Sequence, residues 1–275
     1  MLPFKLIAVE SLDDDLVKNI TRYSNKQNAV RGRDFLTLED VFHQLREKLK
    51  ERGYYLEVQT GEYGVLPKAE KERYPRDRLV NAFDALRFYG AGPLSRPHTA
   101  FGRSGDFTPG GREFDGIMDG LTEDDLLVPW LIARHAEEMG YSVGAKWHAT
   151  GDDHRNQTRY FFLHCFFRAA AQTMRNTSQI DHAARQTLYA DLLHLMQHAA
   201  TTEGTTPFQT LLSTADAIVS TFMSLARLQN WYADRNAFLK REDILQEDRF
   251  LLASAPALLE RDKIARDVRD VLGAS

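Results

Sequence analysis

Between Leu16 and Phe35 the chain reads LVKNITRYSNKQNAVRGRDF, a stretch dense in amides and guanidinium groups. Asn19, Arg22, Asn25, Gln27, Asn28, Arg31 and Arg33 are interleaved with a thin apolar set of Leu16, Val17, Ile20 and Tyr23. On a helix the apolar set falls on one side, while Asn19, Arg22 and Lys26 gather on an adjacent one. Amides make directional hydrogen bonds, and a guanidinium fork grips carboxylate or phosphate with two parallel bonds. The expected chemistry is recognition of a phosphate-bearing ligand such as nucleic acid, with Asn19, Arg22, Asn25, Gln27, Asn28 and Arg31 as the binding residues. The plainer alternative is a pair of helix ends joined by a loop, with the amides satisfying backbone groups.

Other clusters invite catalytic readings that their spacing does not complete. Glu57-Val58-Gln59 has glutamine where a metal-dependent nuclease wants lysine, and Asp40 is the only tempting acidic partner upstream. His194 and His198 stand four apart in HLMQH, but the glutamate of the zinc-protease pattern is missing, so a core-flanking helix is expected. His148, Asp152, Asp153 and His154 share a short segment, where the aspartate pair more naturally caps a following helix. The loop from Arg96 to Arg103 places two arginines and His98 beside glycine, an arrangement that suits anions, yet no GxxxxGK[ST] occurs. No GxSxG is present, and Cys165 lies in an apolar FLHCFF run that suppresses thiolate formation. We therefore expect no metal site, no cofactor and no catalytic turnover from this chain alone.

Those residues must be held by elements that the pattern of the chain delineates. Phe4, Leu6 and Ala8 alternate with Lys5, Ile7 and Val9 as in a strand, and Ser11 to Asp14 opens a helix that ends near Asn25. Thr37-Leu38-Glu39-Asp40 starts a second helix carrying Val41, Phe42, Leu45 and Leu49, which Gly53 stops. Tyr54 to Thr60 reads as a strand and hairpin arm; Leu79, Val80, Phe83 and Leu86 make another helix, closed by Gly90. Eight glycines and three prolines between Gly90 and Gly120 argue for a long loop or linker. Beyond it, helices are expected over Leu126–Met139, Arg159–Met174, Ile180–His198, Phe208–Tyr232 and Leu258–Leu272. The fold class is an α+β N-terminal module followed by a mainly α-helical bundle, predominantly α overall. The divisions are residues 1–100, a Gly/Pro-rich linker over 101–120, and a helical domain over 121–275.

The amide-rich segment also resembles a known family. Ile20, Arg22, Ser24, Asn25, Gln27, Asn28, Val30, Arg33, Asp34 and Phe35, followed by Gln44 and Leu45, are similar to the pattern of the AIPR proteins of abortive infection and phage resistance. The likeness continues through Gly53-Tyr54-Tyr55-Leu56-Glu57 and Gly61-Glu62, then weakens through Asn81-Ala82-Phe83, Arg96-Pro97-His98 and Ala100-Phe101-Gly102. It covers roughly the first hundred residues. Segments reading like NxR, NNGIT and VNGGQT, which the family places before this helix, do not occur here, so the chain is expected to correspond to the C-terminal part of such a protein. The resemblance implies anti-phage defence. Two further readings stay open: part of a nuclease-type toxic effector whose catalytic half lies upstream, or an interaction module that docks the missing upstream half.

A net charge of −4 and a pI near 6.1 give no global attraction to polyanions, so nucleic-acid binding would have to be local. The single cysteine permits no disulfide within the chain and fits a reducing, cytoplasmic setting. No apolar run approaches the ~20 residues that span a bilayer, so no membrane partner is expected.

Overall fold

Phe42, Leu45 and Leu49 recur at helical spacing and are buried together on helix α1, Asp40–Glu51. The computed structural model describes residues 36–37, 39–142, 155, 158–177, 180–224 and 261–273. After α1 the chain makes strand β1 (Tyr55–Glu57), a 3₁₀ turn at Glu62–Val65, helix α2 (Lys68–Arg73), a 3₁₀ turn at Arg76–Arg78 and strand β2 (Leu79–Asn81). Helices α3 (Ala82–Ala91), α4 (Pro97–Gly102) and α5 (Phe114–Met118) follow, with a 3₁₀ turn at Ser104–Phe107. The long helices are α6 (Glu123–Glu138), α7 (Arg159–Arg175), α8 (His182–Thr201), α9 (Pro207–Ser224) and α10 (Arg261–Gly273). Among the described residues the protein is predominantly helical, with one small sheet in its N-terminal part.

Two local expectations change. The sheet is not a hairpin: β1 and β2 run parallel, with Tyr55, Leu56 and Glu57 opposite Leu79, Val80 and Asn81. Leu79 to Asn81 has helical-looking apolar spacing, yet its backbone is drawn into extended pairing by a strand more than twenty residues away, a contact local pattern does not encode. Asn81 then caps α3, its side chain accepting from the Asp84 amide at 3.1 Å. Within the glycine-rich stretch, α4, α5 and a 3₁₀ turn form, anchored by Phe107, Phe114 and Ile117, all buried. The proposed first strand and first helix lie outside the described residues.

The axis of the bundle is α7. Tyr160, Phe161, Phe162, Leu163, Phe166 and Phe167 are buried along it, and it packs against α3, α4, α6, α8, α9 and α10. Phe166 meets Phe167 and Phe208 edge to face, with ring centroids 5.6 and 6.2 Å apart, the favoured arrangement of aromatic quadrupoles. One continuous apolar cluster runs from Leu36 to Val268, while Tyr55, Tyr63 and Tyr74 form a separate small one beside β1.

Two opposite charges are buried together in this core. Asp125 and Arg185, on α6 and α8, face each other with Oδ1 and Nε 2.7 Å apart and their side chains 0% and 6% exposed. The other carboxylate oxygen of Asp125 accepts from the Thr122 backbone amide and hydroxyl, both at 2.9 Å, closing a capping box at the start of α6. The Arg185 guanidinium lies over the Tyr89 ring of α3 at 5.1 Å. Burial pushes the Tyr89 and Tyr189 hydroxyls well up, and the Asp125 charge adds to it.

Close approach explains Gly90, inside α3. A Cβ placed there would stand 2.1 Å from the Phe107 ring. Helix propensity alone would favour alanine by about 1 kcal/mol. The clash reverses the sign: Gly90→Ala should destabilise the fold by about 1–3 kcal/mol, as overpacked cores do, seen as a lower melting temperature. An unchanged or raised melting temperature would show that Phe107 can move aside.

Candidate functional site

The six residues expected to bind phosphate, Asn19, Arg22, Asn25, Gln27, Asn28 and Arg31, lie outside the described residues, as do His148, Asp152, Asp153 and His154. The remaining candidates are placed. Glu57, at the end of β1, is only 9% exposed. One of its oxygens accepts from the backbone amides of Gly61 and Tyr63 at 3.1 and 3.2 Å, and the other from the Asn81 amide at 3.1 Å. The carboxylate thereby ties the turn after β1 to the end of β2. Glu62 stands beside it, accepting from Arg46 at 2.7 Å, while Arg46 also donates to the Leu56 carbonyl at 3.0 Å. The Arg46 guanidinium lies 5.5 Å from the Tyr55 ring centroid, and burial pushes the Tyr55 hydroxyl up to about 12 although Arg46 pulls the other way. This is a clamp between α1, β1 and β2, built from the acid that a nuclease would have used for metal.

The Arg96–Arg103 segment is helix α4 rather than an open loop. Arg96 pairs with Glu113, and His98 is buried against the Phe161 ring, 6.4 Å between centroids. On α7, His164 and Cys165 are also enclosed. Burial holds the His164 imidazole down at about 3, helped by the Arg168 charge and His98. Burial pushes the Cys165 thiol up to about 12, far from a reactive thiolate. His198, on α8, meets the Thr202 hydroxyl at about 3.4 Å. Among the described residues no three of His, Cys, Asp and Glu gather where they could hold a metal ion.

A different concavity lies between the end of α7, α8 and α10, with a volume of about 810 Å³. Arg175, in the last turn of α7, forms an ion pair across it with Asp191 of α8. Burial raises the Asp191 carboxyl above its usual range even though Arg175 and His194 pull it down. From α10, the exposed Arg266 and Arg269 line the same cleft over Val268 and Leu272. Sequence reasoning missed this cleft, because its charges come from three helices distant in the chain. The one available signal was arginine at i, i+3 on the last helix, beside an apolar stripe.

In comparison with protein families, the family described as AIPR protein matches residues 1–203. The chain belongs to the AIPR family. AIPR membership supports a role in phage resistance by abortive infection, and the match extends well past the hundred residues that carry the resemblance. It ends just after α8, so α9 and α10 lie beyond the matched part. No curated protein and no solved structure matches the chain. None of the helices among the described residues is long and apolar enough to cross a membrane.

Two outcomes follow from the clamp and the buried imidazole. Glu57→Gln places an amide donor where Asn81 or two backbone amides need an acceptor. It should cost about 1–3 kcal/mol of stability, measured by denaturant unfolding, the toll of an unmet buried polar group. For His164 the unfolded imidazole titrates near 6.5 but the folded one near 3, so the unfolded state binds more protons between these values. Stability is thus lost as pH falls through that window. His164→Phe should gain on the wild type in melting temperature between pH 7 and pH 4.5; a constant difference would contradict the buried neutral imidazole.

Proposed function

We propose that this AIPR protein acts in abortive phage infection as a recognition module that binds a phosphate-bearing ligand, nucleic acid, through Asn19, Arg22, Asn25, Gln27, Asn28 and Arg31. The observation that carries this reading is family membership, whose match spans that amide–arginine segment. The described residues lend it support from another side. Glu57 is committed to three structural hydrogen bonds, and His164 and Cys165 are held in their neutral forms by burial. Side chains of catalytic type are here used to build the scaffold, which suits a protein that grips rather than cleaves.

Binding of fluorescent single-stranded DNA or RNA should weaken as salt rises, because phosphates neutralised by arginine release condensed counterions. A net charge of −4 supplies no diffuse attraction, so the slope must come from a local patch. Arg22→Ala should flatten the slope by about one phosphate contact without altering the melting curve. Asn25→Ala and Asn28→Ala should weaken binding with little change in slope, since amides carry no charge to screen. If the wild type binds no nucleic acid even at low salt, or if it cleaves the strand with magnesium in a reaction abolished by Glu57→Gln, the recognition reading is wrong.

A further inference from the structure

We propose that the cleft between the end of α7, α8 and α10 binds a small phosphorylated ligand of nucleotide size, with Arg266 and Arg269 holding its phosphates. The charge balance of the cleft points to an anion. Arg175 and Asp191 are paired with each other, so they cancel. Arg266 and Arg269 close no ion pair among the described residues, although Asp267 and Asp270 each follow one of them in sequence. Two positive charges are therefore left in the cleft without an ion-pair partner among the described residues. They stand three residues apart on one helix, which puts both guanidinium groups on the same face about 5–6 Å apart at Cβ. Paired forks at that spacing suit two neighbouring phosphate groups better than one carboxylate, because each fork satisfies two oxygens of a tetrahedral group.

The rest of the lining fits the non-phosphate part of such a ligand. Met174, Val268 and Leu272 give an apolar wall for a base or sugar, while Thr173 and Asn176 bring a hydroxyl and an amide to the same rim. Asn176 is held there in the left-handed region, φ 52°, as the residue that ends α7. The volume of about 810 Å³ lies within the range of small-ligand sites, about 300–1,000 Å³, and is too small for a folded partner. The Arg175–Asp191 pair has a positioning part: it holds the guanidinium at the mouth of the cleft while neutralising a carboxylate that would repel phosphate. This proposal does not rest on the nucleic-acid reading above.

Isothermal titration with ATP, inorganic pyrophosphate, adenosine and hexaglutamate separates the possibilities. ATP should bind with about one site per chain, pyrophosphate more weakly, and adenosine and hexaglutamate not measurably. Arg266→Ala/Arg269→Ala should weaken ATP binding about a hundredfold, since each of the two lost charge-assisted contacts is worth roughly a factor of ten. Both residues are exposed, so the melting curve should be unchanged; Arg266→Lys/Arg269→Lys keeps the charge, removes the forks and should give an intermediate loss. Lys68→Ala, which removes an exposed charge from α2, should leave ATP binding as it was. Absence of ATP binding at millimolar concentration, equal binding by the double alanine variant, or preference for hexaglutamate would each overturn the proposal. Failure of Arg22→Ala to affect nucleic-acid binding would leave it standing.

Discussion

The buried pair of Asp125 and Arg185 is the constraint around which the helices are arranged. Taking two charges out of water costs several kcal/mol each, and only close, well-partnered geometry offsets it. Asp125 turns one oxygen to Arg185, close but out of hydrogen-bond alignment, and bonds the other to the first turn of its own helix, while Arg185 lies on the face of Tyr89. Three helices, α3, α6 and α8, are thereby committed to one relative register, because a shift of any of them would strand a charge in the apolar core. Gln186, next in line on α8, reinforces the register by donating to the Thr122 hydroxyl at 3.1 Å. Around this fixed triad the phenylalanine-rich face of α7 needs no polar specificity of its own.

The chemistry of the protein is sorted by depth. Among the described residues, Glu57 is enclosed with its carboxylate fully bonded, and His164 and Cys165 are enclosed and held neutral. Exposed arginines line a cleft where α10 meets helices of the family-matched part. A chain with a net charge of −4 does not attract anions as a whole, so any anion that it holds must be recognised by geometry. The guanidinium fork is the group that converts such geometry into selectivity for phosphate over other negative groups.

Long elements were legible in the sequence because their signals are local and repeated. The spacing over 126–139, 159–174 and 180–198 places α6, α7 and α8 to within a few residues of their ends, and a capping box at Thr122 accounts for the earlier start of α6. What the pattern could not reveal depends on partners elsewhere in the chain. Leu79–Asn81 is a strand only because β1 lies beside it, and the short helices after Gly90 exist because Phe107 and Phe114 find a core to enter. Glu57 looked like half of a nuclease motif, since nothing nearby announces that Gly61, Tyr63 and Asn81 will use up its oxygens. The cleft was invisible for the same reason, with Arg175, Asp191 and Arg269 contributed by separate helices. The likeness to AIPR proteins, in contrast, could be read directly from the amide-rich segment.

The parallel direction of β1 and β2 governs the order in which this region can assemble. An antiparallel hairpin forms on its own within microseconds, since its two arms adjoin a tight turn. Three-residue parallel strands joined through a crossover have no such nucleus: their few hydrogen bonds do not repay the entropy of closing the loop between them. They become worth forming once α1 and α3 have docked and Leu56 and Val80 have a core to enter. The clamp of Glu57, Arg46 and Asn81 is thus a late lock, closing over a surface that the helices have already prepared.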